Sequence, residues 1–249
     1  MKDLKEEIEI RYKDFSKKWM TELQSVITQL AGSDHVFFES YLRLVSLNMW
    51  RSDLLNQIMS PKSIAFFLEG QNDALVSHVF ARMGAWRSAS KSLRSCLENT
   101  AFAMYFKDHP IELTLWEQGS YKPGFSSTIE YLSRHPALQG VPKELTGLET
   151  FDREYSTLSK AVHGSSSFNM TSGTAGTSLW TASTPSLGKW RSRETQVVLA
   201  INLLLMAMFR DELQGTKRAQ LRKAISFAVP NAKHVAVKSA LRIVLSLAP

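Results

Sequence analysis

One run, Val197–Phe209, constrains this chain more than any other stretch. It carries no charge, and Asn202 is its single strongly polar residue. As a helix it is only about 20 Å long, too short for the roughly 30 Å apolar layer of a bilayer. It is also apolar on every side, so it cannot lie half-exposed on a surface. The run therefore predicts a buried central helix, and the rest of the chain has to surround it.

The surroundings read as helices. Ile8, Tyr12, Phe15, Trp19, Leu23, Val26 and Leu30 recur at helical steps over about Leu4–Leu30, and Gly32 closes that element. A second helix carries Phe37, Tyr41, Leu44, Leu47 and Leu55 and ends before Pro61. A third is expected over about Pro61–Met83, broken by Gly84, and a fourth from Ala85 to about Lys107, ended by His109–Pro110. Short helices follow over about Pro110–Gln118 and Ser126–Ser133, then a longer one over Pro142–His163. Two or three basic helices fill Lys189–Ala248, with breaks at Gly215 and Pro230. Period-two alternation is nearly absent, so the expected fold is an all-α bundle with short connections. One connection is abnormal. Gly164–Gly188 holds 16 Ser, Thr or Gly in 25 residues and no charged side chain, which leaves open an ordered flap or a mobile linker.

A single cysteine, Cys96, excludes an internal disulfide and a thiolate metal cluster. That usage fits a reducing cytoplasm, and the charged N-terminal residues have no apolar core of a signal peptide. The six histidines are scattered without ligand spacing, and glycine-rich phosphate loops are absent, so no metal or cofactor is expected. Net charge is +7 and uneven. From Lys189 onward there are 11 Lys plus Arg against 3 Asp plus Glu, which leaves the first 188 residues near neutrality. Lys217, Arg218, Arg222 and Lys223 in this region, with Arg87 earlier, are the candidate contacts to RNA or DNA. A solvated basic face is the alternative reading.

Chemistry-bearing residues gather on two helices. On the motif helix, Phe151, Tyr155, Leu158 and Val162 form an apolar stripe, flanked by Asp152, Ser156, Ser159 and His163. On the fourth helix, Arg87, Lys91, Arg94 and Glu98 form a polar line that runs toward an apolar segment. A buried charge needs a partner, so the two lines are expected to meet, with Arg94, Glu98, Tyr155 and His163 converging. Arg94 and Glu98, four residues apart, can also pair with each other. A Ser-His-Asp hydrolase built from Asp152, Ser159 and His163 is not supported, because nothing marks a nucleophile turn or an oxyanion hole.

These residues resemble a known group. The stretches Ser-Leu-Arg94-Ser-Cys-Leu-Glu98, then Tyr-Phe-Lys-Asp-His-Pro with Trp116, then Tyr155-Ser-Thr-Leu-Ser159-Lys-Ala-Val-His163 are similar to bacterial proteins of the HEPN superfamily. The resemblance covers roughly residues 73–166. It implies a four-to-five-helix core, homodimerisation, and a setting among phage-defence or toxin–antitoxin systems. Catalytic members are metal-independent endoribonucleases with an arginine a few residues before the histidine. This chain departs from that pattern: Ser156, Thr157 and Leu158 stand where the arginine is sought, and Arg153 is ten positions away.

The expected organisation is an N-terminal helical segment (1–60), HEPN-like core helices (61–163), the Ser/Thr/Gly-rich connection (164–188) and a basic C-terminal extension (189–249). Two functions follow. One is a non-catalytic interaction protein that binds a partner protein, nucleic acid or both. The other is a ribonuclease in which His163 acts as general acid or base, Arg94 or Arg87 stabilises the scissile phosphate with Glu98 orienting Arg94, and Tyr155 and Ser159 position the ribose or the histidine.

Overall fold

A computed structural model of the chain describes residues 3–163, 179–215 and 218–245. It is a helical bundle with no strand among the described residues. The central helix is α10, Thr184–Met208, and every residue from Val197 to Met208 is buried. Around it pack α2 (Asp34–Met49), α5 (Trp86–Asp108), α9 (Leu148–His163) and α11 (Ala219–Ala228). The apolar run thus takes the position its composition demands. The helix starts earlier than expected, however. Ser183 caps it by accepting from the Ser186 amide, and Pro185 lies in its first turn. Residues 184–188, assigned from composition to the long connection, are helical; residues 164–178 of that connection lie outside the described residues.

α4 (Pro61–Arg82) and α5 form an antiparallel hairpin. Gly84 turns it with a φ of +70°, and a Cβ there would sit 2.6 Å from the Thr181 carbonyl oxygen. The same backbone is held from both sides: Thr181 N–H donates to the Gly84 carbonyl and Trp86 Nε1 donates to the Thr181 carbonyl. Small helices α6 (Pro110–Glu117) and α7 (Phe125–Ser133) follow α5.

The motif helix is two helices rather than one. A short α8 (Lys143–Thr146) ends at Gly147, whose φ is +76°, and α9 begins at Leu148. A Cβ at Gly147 would lie 2.3 Å from the Ala200 carbonyl oxygen of α10, so only glycine lets the chain pass this close to the central helix.

α2 runs on into a π-helical turn, Trp50–Leu55, and one further turn, α3 (Asn56–Ile58). The wider π turn puts Trp50, Leu54 and Leu55 all in the core, each with no exposed surface. α12 (Asn231–Leu241) completes the C-terminal region. The first helix, α1, spans Leu4–Leu30 as expected, yet only Val26 and Leu30 of its apolar face are buried.

Candidate functional site

The site lies where α5 and α9 cross. Ala89, Leu93, Cys96, Leu97 and Met104 point one face of α5 into the core, which turns Arg94 and Glu98 toward α9. Phe151 and Leu158 anchor α9 in the same way and turn Tyr155 and Ser159 toward α5. Two polar lines on core-facing helices therefore meet.

Arg94 is the hub. Its Nη1 and Nη2 donate to the two carboxylate oxygens of Glu98, at 2.8 and 2.9 Å. Its Nε donates to Ser159 Oγ at 3.0 Å, and Nη2 also donates to the Tyr155 hydroxyl. The Tyr155 hydroxyl in turn donates to Glu98 Oε1 at 3.0 Å, closing the ring. Four of the five guanidinium N–H groups are thus engaged inside the protein. The pair is largely sheltered, with side-chain exposures of 18% and 22% for Arg94 and Glu98. Tyr155 is fixed from the other side by Phe125, whose ring stacks on it at 3.7 Å between centroids. Burial raises the phenol's pKa above the usual range, helped by the Glu98 charge and only partly opposed by Arg94.

A separate polar pair lies beside this ring, made by groups that periodicity did not single out. Next to Glu98, Asn99 Nδ2 donates to Asp73 Oδ2 at 2.8 Å. Burial raises the Asp73 pKa; Glu69 and Glu98 add to this, and the Asn99 bond opposes it.

His163 is not part of this cluster. It is exposed in the last turn of α9 and makes no hydrogen bond to another described residue. It stands about 6 Å along the helix axis beyond Ser159, the last residue that Arg94 reaches. The arginine at its level is Arg87, and Arg87 is already employed. Its Nε donates to the Ala161 carbonyl at 2.9 Å, capping one of the carbonyls that the C-terminus of α9 leaves unpaired. Lys91, on the same line of α5, is exposed.

The basic C-terminal residues divide. Arg218, in a left-handed conformation with φ +67°, clasps the π turn through the Asp53 carbonyl and carboxylate, and α3 through Gln57 Oε1. Arg222 donates to the Leu213 carbonyl at 2.8 Å. Lys223 is exposed, and Lys217 lies outside the described residues.

Two further polar clusters went unseen in the sequence. Between α2, α4 and α10, Arg43 bonds Glu194 through Nε and Nη2 at 2.9 and 2.6 Å, and Ser40 Oγ donates to the same carboxylate. Since Ser40 gives its proton to Glu194, His78 Nδ1 must carry a proton and donate to Ser40 Oγ, at 3.1 Å. Burial, with Arg82 and Arg43 nearby, holds His78 neutral by lowering its pKa to about 4. At the far end of α5, Asp108 accepts from Lys107, Tyr131 and His135. His135 Nδ1 accepts the Ala137 amide, so its Nε2 is the protonated nitrogen that faces Asp108. Burial would raise the Asp108 pKa, but these three donors more than offset it and the net shift is downward. Both ring nitrogens of His135 are committed, which removes it as a free base.

Among the described residues, no group of three or more His, Cys, Asp or Glu side chains could hold a metal ion, and no helix is long and apolar enough to cross a membrane. No family model matches this chain, and neither a curated protein nor a solved structure matches it.

Proposed function

We propose that this chain is a non-catalytic, HEPN-like helical interaction protein, and that the Arg94 cluster is a packing network joining α5 to α9. One observation carries the reading: Arg94 has spent four of its five donors on Glu98, Tyr155 and Ser159. To clamp a phosphate through two parallel N–H bonds, Arg94 would have to release Glu98 and leave a sheltered carboxylate unpaired. His163, which a ribonuclease would need beside that arginine, has neither Arg94 nor an orienting partner among the described residues. On the resemblance described above, the setting we propose is a bacterial defence or toxin–antitoxin system. The partner is a protein, with nucleic acid as a second ligand for exposed C-terminal cations such as Lys223, Lys238 and Arg242.

The test compares two substitutions. Glu98→Ala strands Arg94 and should cost about 1–3 kcal/mol of stability, read as a lowered melting midpoint. His163→Ala should leave the midpoint unchanged, and metal-free incubation with RNA should give the same result for both proteins and the wild type. RNA cleavage by the wild type that His163→Ala abolishes would establish the ribonuclease reading instead.

A further inference from the structure

The first helix poses a question the Arg94 cluster does not answer. Eight of its eleven large apolar residues, Leu4, Ile8, Tyr12, Phe15, Trp19, Leu23, Val26 and Leu30, are spaced 4-4-3-4-4-3-4. This is an 11-residue repeat: Leu4, Phe15 and Val26 share one position, and Ile8, Trp19 and Leu30 another. Eleven residues make just over three full turns, so the stripe stays on one side along the whole helix, within an arc of about 100°. The bundle uses only its end. Val26 and Leu30 are 7% and 5% exposed, whereas Leu4, Ile8, Tyr12 and Phe15 are 68%, 55%, 68% and 55% exposed. Trp19 and Leu23, between them, are half-buried. A contiguous apolar stripe of this kind marks an interaction surface.

The charges of α1 say what fits it. Asp3–Glu9 holds four acidic residues and one lysine, while Arg11–Lys18 holds four basic residues and one aspartate. The helix is thus net −3 followed by net +3, and it is complementary to itself only when reversed. The residues beside the stripe repeat the pattern more finely. Glu7, Arg11, Asp14 and Lys18 line one flank within about 60° of one another. Their signs alternate symmetrically about a point between Tyr12 and Lys13. Reversing a second copy about that region sets Glu7 against Lys18 and Arg11 against Asp14. The same reversal brings Leu4 within two residues, about 3 Å along the axis, of the level of Trp19, and Ile8 equally near Phe15, so the apolar stripes face each other. A parallel copy would lay acid on acid and base on base.

We infer that the free part of α1 pairs antiparallel with α1 of a second copy of this chain, with the apolar stripe as the seam and Glu7–Lys18 as flanking ion pairs. The pairing is separate from the α5–α9 site and holds whether or not that site is catalytic. The exposed ion pair that Arg11 makes with Glu7 in one chain, with side chains 76% and 49% exposed, holds neither residue back, because such pairs are worth little.

The experiment measures self-association of the full chain by sedimentation equilibrium, in low salt, for the wild type, Glu7→Lys, Lys18→Glu and the double charge swap. Both sites of change are exposed on the part of α1 that the bundle leaves free, so helical content and melting serve only to confirm folding. The wild type should dimerise. Each single reversal places like charges together twice per dimer and should weaken association by about three- to tenfold. The double swap should restore it, because residues 7 and 18 are about 16 Å apart within one helix and can compensate only across an antiparallel seam. A wild type that stays monomeric at about 100 µM, well above a micromolar dissociation constant, would overturn the inference. So would single variants that associate as well as the wild type, or a double swap no better than its parents. The first would leave α1 to a different partner, and the others would place the contact elsewhere, for instance on the exposed Phe38, Tyr41 and Val79 of α2 and α4.

Discussion

The two longest helices of this protein, α1 with 27 residues and α10 with 25, solve opposite problems. From Val197 on, α10 is apolar on all sides and is covered by its own chain. The buried polar groups of α10 lie four and eight residues apart along one line, and each is paired. Trp190 Nε1 donates to Ser77, Glu194 takes Arg43 and Ser40, and Asn202 accepts from Trp50 Nε1 while donating to Ser46 and the Val198 carbonyl. In α1 most of the apolar groups form one stripe, the rest is mainly charged or polar, and the chain covers only the last two turns. Length and helical periodicity are alike. The contrast shows that periodicity identifies the face of a helix that wants burial but does not say which molecule buries it.

The largest effect should come from breaking the line in α10. Glu194→Ala leaves the Arg43 guanidinium buried without its counter-charge, and should cost about 3–5 kcal/mol; urea unfolding of the purified variant measures it. If the loss is below about 1 kcal/mol, within the range of surface pairs, the Arg43–Glu194 pair is solvated and α10 is not the sealed core described here.

A smaller effect follows from His78. Its folded pKa, about 4, lies below its ordinary value of 6.5, so between those limits the unfolded chain binds the proton first. Stability is then fully present above pH 6.5 and is lost as pH falls toward 4, by roughly 3 kcal/mol. His78→Gln should flatten that part of the stability–pH curve. An unchanged slope would assign the acid sensitivity to other groups.

The smallest effect belongs to α1. Phe15→Ser changes a large exposed side chain on a face the bundle does not use, and should alter the monomer's stability by less than about 0.5 kcal/mol. A loss of several kcal/mol would mean that the stripe is covered within one chain.

What could be read from the sequence divides along the same line. The bounds of α1, the α4–α5 turn at Gly84 and the buried α10 follow from local signals: apolar spacing, a glycine break, an uncharged run. The meeting of Arg94 and Glu98 with Tyr155 and Ser159 also follows, because a polar line entering a core has to find partners. His163 was drawn toward that cluster by its place on the same flank, but it lies one turn past the last contact and outside the buried zone. The Arg43–Glu194 and Trp50–Asn202 pairs join residues about 150 positions apart, and no local pattern announces them. Gly147 read as part of one helix because its reason is tertiary: the carbonyl of Ala200 occupies the space a side chain would need.

Amide hydrogen exchange, followed at two protein concentrations, tests the contrast most directly. α10 should exchange only through global unfolding, at a rate that does not depend on concentration. Amides of residues 5–18 in α1 should exchange quickly in dilute solution and become protected as concentration rises and second copies cover the stripe. Protection of that segment that is already high in dilute solution, or that ignores concentration, would contradict the account.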